Sequence, residues 1–261
     1  MKLFHYTTID TLAHILNNRS IKFNRLDQLD DKTESEAFAD FNPLRYIFSS
    51  SFTDDPNENI ALWRMYADME RGVRLEFESS TMFSPKNTPL SQHSIKGTLP
   101  TSIYTAINSS DIINEDFILV FWEPLEDHSL GQGIYLRKIN YINNFKDIYC
   151  SLIRTSPSIS YSPREFGYLK STYWQFQKEV RLLIYTFPNA SSQEEFNKII
   201  LDRRELKTTF ILVPLSKFAI DNLNIVLSPK ASEASRLIVE SLTRGLKNVS
   251  IQDSVLKNKI R

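Results

Sequence analysis

The chain has 261 residues and a formal net charge of zero, with 41% hydrophobic and 24% charged residues. This composition folds as a globule and suffices for one large domain or two small ones. The balanced charge removes the general electrostatic case for tight non-specific nucleic-acid binding. A single cysteine, Cys150, excludes an intrachain disulfide and a cysteine-built zinc site, and four scattered histidines argue against a metal centre.

Residues 2 to 6 read as a short apolar strand carrying His5 and Tyr6. Ile9, Leu12 and Leu16 then recur at helical spacing, and Thr7 with Asp10 stands in the spacing of a capping box, so a helix is expected over about 8–18. Asn17-Asn18 is the expected stop, because Asn tolerates the left-handed C-cap conformation. His5 then lies beside a helix N-terminus, where unpaired amides favour an anion such as phosphate.

Ser20 to Asn24 alternates as a half-buried strand. The acidic run Asp27, Asp30, Asp31 and Glu34 reads as a solvated turn and helix start; a nuclease using these acids with a divalent cation is a weaker reading. Tyr46 to Thr53 is a strand with three serines at its centre, an odd choice because serine is a poor strand former. Ile60 to Met69 reads as a helix stopped by Gly72, and residues 73 to 78 as an amphipathic strand.

Residues 79 to 133 are loop-heavy, with Pro85, Pro89 and Pro100 and one apolar strand from Phe117 to Trp122. Strand character returns from Ile134 to Ile142, helix character from Pro163 to Tyr173, and a strand runs from Val180 to Phe187. A helix is expected near 191–200, strands at Phe210–Leu215 and Leu223–Leu227, and a helix capped by Ser232; the last dozen residues add an edge strand or fray. Strands and helices do not alternate regularly. The expected fold is a single α+β domain over residues 1–261, mainly antiparallel sheets with packed helices. The first residues lack the apolar stretch of a signal peptide and no run approaches a membrane span, so a cytoplasmic setting is expected. There is neither a GxGxxG loop nor a P-loop.

The segment order resembles a bacterial family known as domain of unknown function 2971. The resembling pieces are Phe4-His5-Tyr6-Thr7, residues 21–27, Ser49 to Thr53, residues 62–67 with Gly72-Val73, Trp174 to Leu182, and residues 225–229. More distantly, the N-terminal unit is similar to that of ADP-ribosyltransferases. That resemblance implies an NAD-binding cleft, with NAD as substrate. His5 on the first strand would contact the ribose or phosphate. The Ser49-Ser50-Ser51 strand would follow, and Gln177-Lys178-Glu179 would close the site. The resemblance makes Glu179, Gln177 and His5 the catalytic candidates. The cofactor-binding candidates are His5, Tyr6, Thr7, Ser50, Ser51, Trp63, Arg64 and Tyr66, with Trp63 or Tyr66 as an aromatic platform. Arg64 and Arg181 would balance pyrophosphate charge.

The chemistry suits these residue types, because cleaving a nicotinamide–ribose bond develops an oxocarbenium-like centre that a fixed carboxylate stabilises. An extended backbone would put Gln177 and Glu179 on one face. Glu179 also reads as a surface partner of Arg181 or Lys178. The implied activity is NAD cleavage or ADP-ribose transfer to a protein or nucleic-acid acceptor. The alternative is a non-catalytic interaction module of a bacterial stress or phage-defence system.

Overall fold

A computed structural model describes residues 1–35, 38, 41–90, 102–121, 130–154, 159–202 and 204–260. Strand β1 (Lys2–Thr8) runs directly into helix α1 (Ile9–Asn18). Thr8, not Thr7, is the N-cap, and its side chain accepts from the Thr11 amide. The expected Thr7–Asp10 capping box does not form, because β1 continues through Thr8, paired with Gly72, and the N3 position holds Thr11, while Asp10 pairs with Arg71. The C-cap is Arg19 at φ 49, not Asn17 or Asn18. The first amide of α1, that of Ile9, donates to the Arg71 carbonyl. That bond and the Thr8 cap use part of the amide set that would have favoured an anion.

Next come β2 (Ser20–Arg25), α2 (Lys32–Ser35), β3 (Ile47–Thr53), α3 (Ile60–Leu62) and β4 (Gly72–Glu78). The helix expected over 60–69 is three α-helical residues followed by a π-helical turn, Trp63–Ala67. Asp68, at φ 80, ends it. Within the loop-heavy region lie α4 (Ser79–Met82), β5 (Lys86–Pro89), β6 (Ser102–Thr105) and β7 (Phe117–Leu119). Trp122, the expected end of that last strand, lies outside the described residues.

The chain continues with β8 (Tyr135–Lys138), β9 (Asn140–Tyr141), α5 (Phe145–Ser151), β10 (Leu169–Lys170) and β11 (Glu179–Pro188). The helix expected from Pro163 to Tyr173 is absent. That stretch holds a 3-10 turn at Pro163–Glu165, the short β10, and the start of a second 3-10 turn at Thr172–Gln177. Gly167 breaks the helical pattern: its φ is +84, and an added Cβ would meet Leu26 at 3.0 Å. The remaining elements are α6 (Gln193–Leu201), β12 (Phe210–Pro214), α7 (Lys217–Asp221), β13 (Asn224–Leu227), α8 (Glu233–Leu242) and β14 (Ser250–Gln252). Ser232 caps α8 by accepting from the Ser235 amide.

One large sheet runs β12-β2-β3-β1-β4-β13-β14, with β11 joining β3 and carrying β7 and β8. Its pairings are antiparallel except β13 with β14. The protein is thus a mixed α+β domain built on a mainly antiparallel sheet. Two core clusters cover opposite faces of β11. Leu182 and Ile184 enter the larger cluster; Leu183 and Tyr185 enter a second with Leu26, Ile47, Tyr149, Phe166 and Leu169. The fully buried Tyr149 hydroxyl accepts from the Gly167 and Leu169 amides at 3.1 and 3.0 Å.

The pairing of β3 positions the cavity described below. β11 takes one edge over seven consecutive pairs, from Thr53↔Glu179 to Ile47↔Tyr185. The other edge is shared: β2 meets it at Phe48 and Ser49, and β1 only at Thr53. Between those contacts β1 and β2 diverge, and β3 lies open.

Candidate functional site

The divergence opens a cavity of about 570 Å³, within the ~300–1,000 Å³ of small-molecule sites. β1 contributes Phe4, His5, Tyr6 and Thr7, and β3 contributes Ser49 to Thr53. Gln28, Asp30 and Asp31 line it from the loop after β2, Tyr66 from the π-turn, and Lys170, Trp174, Gln177 and Glu179 from the segment leading into β11.

Side-chain alternation explains how the serine strand meets the glutamate. Glu179, Arg181 and Leu183 pair with Thr53, Ser51 and Ser49, so these side chains share one face, and Ser50 shares the other with Leu182. Ser51 Oγ accordingly donates to Glu179 Oε1 at 2.7 Å. Ser49 Oγ is buried in the cavity wall with no partner among the described residues.

Gln177 and Glu179 do not converge by strand alternation. Gln177 belongs to the 3-10 turn, and Lys178 takes the left-handed conformation at φ 45. Lys170 brings the two together: its Nζ donates to Gln177 Oε1 at 2.8 Å and to Glu179 Oε2 at 2.9 Å, 4.9 Å from the Trp174 ring centre. Gln177 Nε2 donates onward to the Tyr66 hydroxyl at 2.6 Å. The Glu179 amide donates to the Tyr141 hydroxyl, which fixes the start of β11.

Glu179 sits in a buried ionic group. Arg181 Nε donates to Glu179 Oε1 at 2.8 Å, while its Nη1 and Nη2 grip Glu34 at 2.9 and 3.1 Å. Arg181 Nη1 also donates to the Gly167 carbonyl. Burial pushes the Glu179 carboxyl up, but the charges and hydrogen bonds of Arg181 and Lys170 outweigh it and hold the pKa at about 2. Glu34 moves the other way. Burial raises it, and the charge and hydrogen bonds of Arg181, with the more distant charge of Lys170, oppose that rise without overcoming it. Arg181 is held protonated by both glutamates in spite of its own burial.

His5 is half-buried, and its Nδ1 lies 2.9 Å from the Ser51 carbonyl at the point where β1 and β3 part. Burial lowers its pKa, so the ring is neutral near pH 7. A neutral imidazole facing a carbonyl must carry its proton on that nitrogen, which leaves Nε2 as an acceptor. Burial and the nearby charges of Glu179 and Asp30 push the Tyr66 phenol up to about 12.

The structure therefore gathers His5, Tyr6, Thr7, Ser50, Ser51, Tyr66, Gln177 and Glu179 around one cavity. It does not bring Trp63 or Arg64 there. Trp63 is fully buried, edge-on to Tyr6, with its Nε1 donating to Glu58; the apolar spacing that suggested a platform buries it instead. Arg64 is exposed and outside the cavity lining. Arg181 is fully buried and occupied by two glutamates, so it offers no charge to a pyrophosphate. Lys178 pairs with Asp55, not Glu179. Glu34 and Asp31 are buried rather than solvated. The four acids of the nuclease reading do not converge, since Asp27 pairs with Arg25 and Glu34 with Arg181.

Lys170 and Trp174 are the residues that sequence reasoning missed. The aromatic residue just ahead of Gln177 and Glu179 was the available signal for Trp174. Lys170 had none. Among the described residues no group of three His, Cys, Asp or Glu side chains is placed to hold a metal, and no helix is long and apolar enough to cross a membrane. No family model, curated protein or solved structure matches the chain.

Proposed function

We propose that the protein binds NAD on an ADP-ribosyltransferase-like scaffold and breaks its nicotinamide–ribose bond, passing ADP-ribose to water or to a macromolecular acceptor. The observation that carries this reading is Glu179, a carboxylate salt-bridged to Arg181 and Lys170, on the cavity that also holds His5. In NAD the leaving nitrogen is already a cationic pyridinium. Nicotinamide departs neutral with the bonding pair, so no general acid is required. The attacking hydroxyl bonds to the ribose carbon and releases its proton to solvent. A carboxylate that remains charged suits the cationic ribose centre of this step. His5 Nε2 would accept from a ribose hydroxyl.

Glu179→Gln keeps shape but removes charge. NAD affinity is expected to stay nearly constant while nicotinamide release falls roughly 10²–10³-fold. Calorimetry and a nicotinamide assay measure the two effects. Equal release from both proteins removes Glu179 from the chemistry.

One observation favours a second reading. Glu34 and Glu179 are each paired with a cation, Glu34 with Arg181 and Glu179 with Arg181 and Lys170, within one buried ionic group. A site so paired also suits a non-catalytic interaction module. Absence of both NAD binding and nicotinamide release in the wild type would select that reading.

A further inference from the structure

The direction of hydrogen bonding across the cavity wall is fixed from one end. An ammonium has three donors and no acceptor. Lys170 Nζ, 2.8 Å from the Gln177 side chain, can face only its carbonyl oxygen. The Gln177 amide nitrogen must then point the other way, towards the Tyr66 oxygen 2.6 Å distant. That nitrogen is a donor, so Tyr66 accepts in this bond. Its own O–H proton is not used there. The assignment of oxygen and nitrogen in Gln177 thus follows from the chemistry of its neighbours, and no other orientation satisfies Lys170.

Lys170 is held against reorientation. It is 5% exposed, tied also to Glu179 Oε2 at 2.9 Å, and lies over the Trp174 ring. Tyr66 lines the same cavity as Glu179. The charges of Glu179 and Asp30 both act on the Tyr66 phenol and disfavour an anionic ligand group there, and the O–H calls for an acceptor. An uncharged carbonyl or carboxamide oxygen satisfies both conditions.

We propose that Lys170, acting through Gln177, fixes the Tyr66 hydroxyl as a donor into the cavity, so that the site takes a ligand presenting an uncharged carboxamide or carbonyl oxygen beside Glu179. This rests on the NAD reading and deepens it, since the carboxamide of the nicotinamide ring is such a group. Lys170 is a positioning residue in this scheme, and Tyr66 contacts the ligand.

The test compares nicotinamide, nicotinate and pyridine as calorimetric probes, with NAD titrated in parallel. Wild type should prefer nicotinamide to both of the others. Tyr66→Phe should lower nicotinamide affinity about tenfold, the scale of one hydrogen bond, and leave pyridine unchanged. Lys170→Met should erase the same preference, and Lys170→Arg, which also only donates, should restore part of it. In the ligand-free protein the Gln177 side-chain amide protons, assigned through Gln177→Glu, should exchange slowly in wild type and fast in Lys170→Met. Slow exchange together with a nicotinamide preference, but no binding of NAD, would overturn the NAD reading and leave this one standing. Fast amide exchange in wild type, or equal loss of nicotinamide and pyridine binding in Tyr66→Phe, overturns this one.

Discussion

The two edges of β3 divide the work of the molecule. Along the edge facing β11, seven residue pairs close the sheet, and Leu182, Leu183 and Ile184 opposite them are fully buried. Each such side chain contributes roughly 1.5–3 kcal/mol on burial. Along the other edge, β2 and β1 each touch one end, and the middle faces a cavity where the His5 ring, rather than a strand, meets the Ser51 carbonyl. The difference teaches that the same serines serve both roles. Small side chains allow close pairing with β11 and leave room beside it, and Ser51 Oγ is near enough to hold Glu179.

The largest test of that division is at the junction of the two edges. Arg181→Met leaves Glu34 and Glu179 buried without their shared cation and should cost about 3–5 kcal/mol of unfolding free energy in denaturant melts. Adding Glu34→Gln should recover part of the loss. A cost near zero would mean that the ionic group is solvated and that the closed edge does not depend on it.

On the closed edge alone, Leu183→Ala should cost about 3 kcal/mol in the same melts. NAD affinity at the remaining folded population should be unchanged. A parallel fall in affinity would show that the edges are coupled rather than divided.

On the open edge, His5→Ala should weaken NAD binding by about 1–3 kcal/mol, because an acceptor is lost and a ribose hydroxyl left unpaired. Calorimetry reads this directly, and unchanged affinity would remove His5 from the site.

The smallest effect is a pH dependence. The His5 pKa is lowered from 6.5, so between the folded value and 6.5 the unfolded chain binds the extra proton. Its contribution to stability is full above about pH 6.5 and is lost as pH falls through the folded value. NAD affinity, which needs Nε2 unprotonated in the folded protein, should stay flat from pH 8 to 6.5 and decline only as pH falls through the folded value below it. A midpoint above 6.5 in a calorimetric series would contradict the neutral, Nδ1-protonated ring.

The sequence made local matters legible. The alternation in β2, the Ser232 cap and the apolar run of β11 each depend on neighbours in the chain, and all appear in the structure; β4 is a strand as expected, but its alternation fails at Arg74, which is buried over the Phe4 ring. Elements set by distant contacts were not legible. The region from Pro163 to Tyr173 has helical composition, but Gly167 and the pairing of β10 with β9 override it. At the site, His5 and the serines were found because they interrupt apolar strands. Lys170 was not, because an isolated lysine reads as surface until two partners appear at 2.8 and 2.9 Å. Trp63 was misread for the converse reason: its spacing is the same whether an indole faces a ligand or the core.

The hydroxyl of Tyr149 has a kinetic consequence. Gly167 and Leu169 give their amides to it instead of to a strand, across a gap of 18 and 20 residues. Those two amides can trade their hydrogens with solvent only when the phenol withdraws, and the phenol is packed with Phe166, Leu169 and Leu183 in the second core cluster. Exchange at an irregular loop is thereby tied to the packing around one phenol, so these two amides should exchange no faster than the second core cluster lets that ring withdraw.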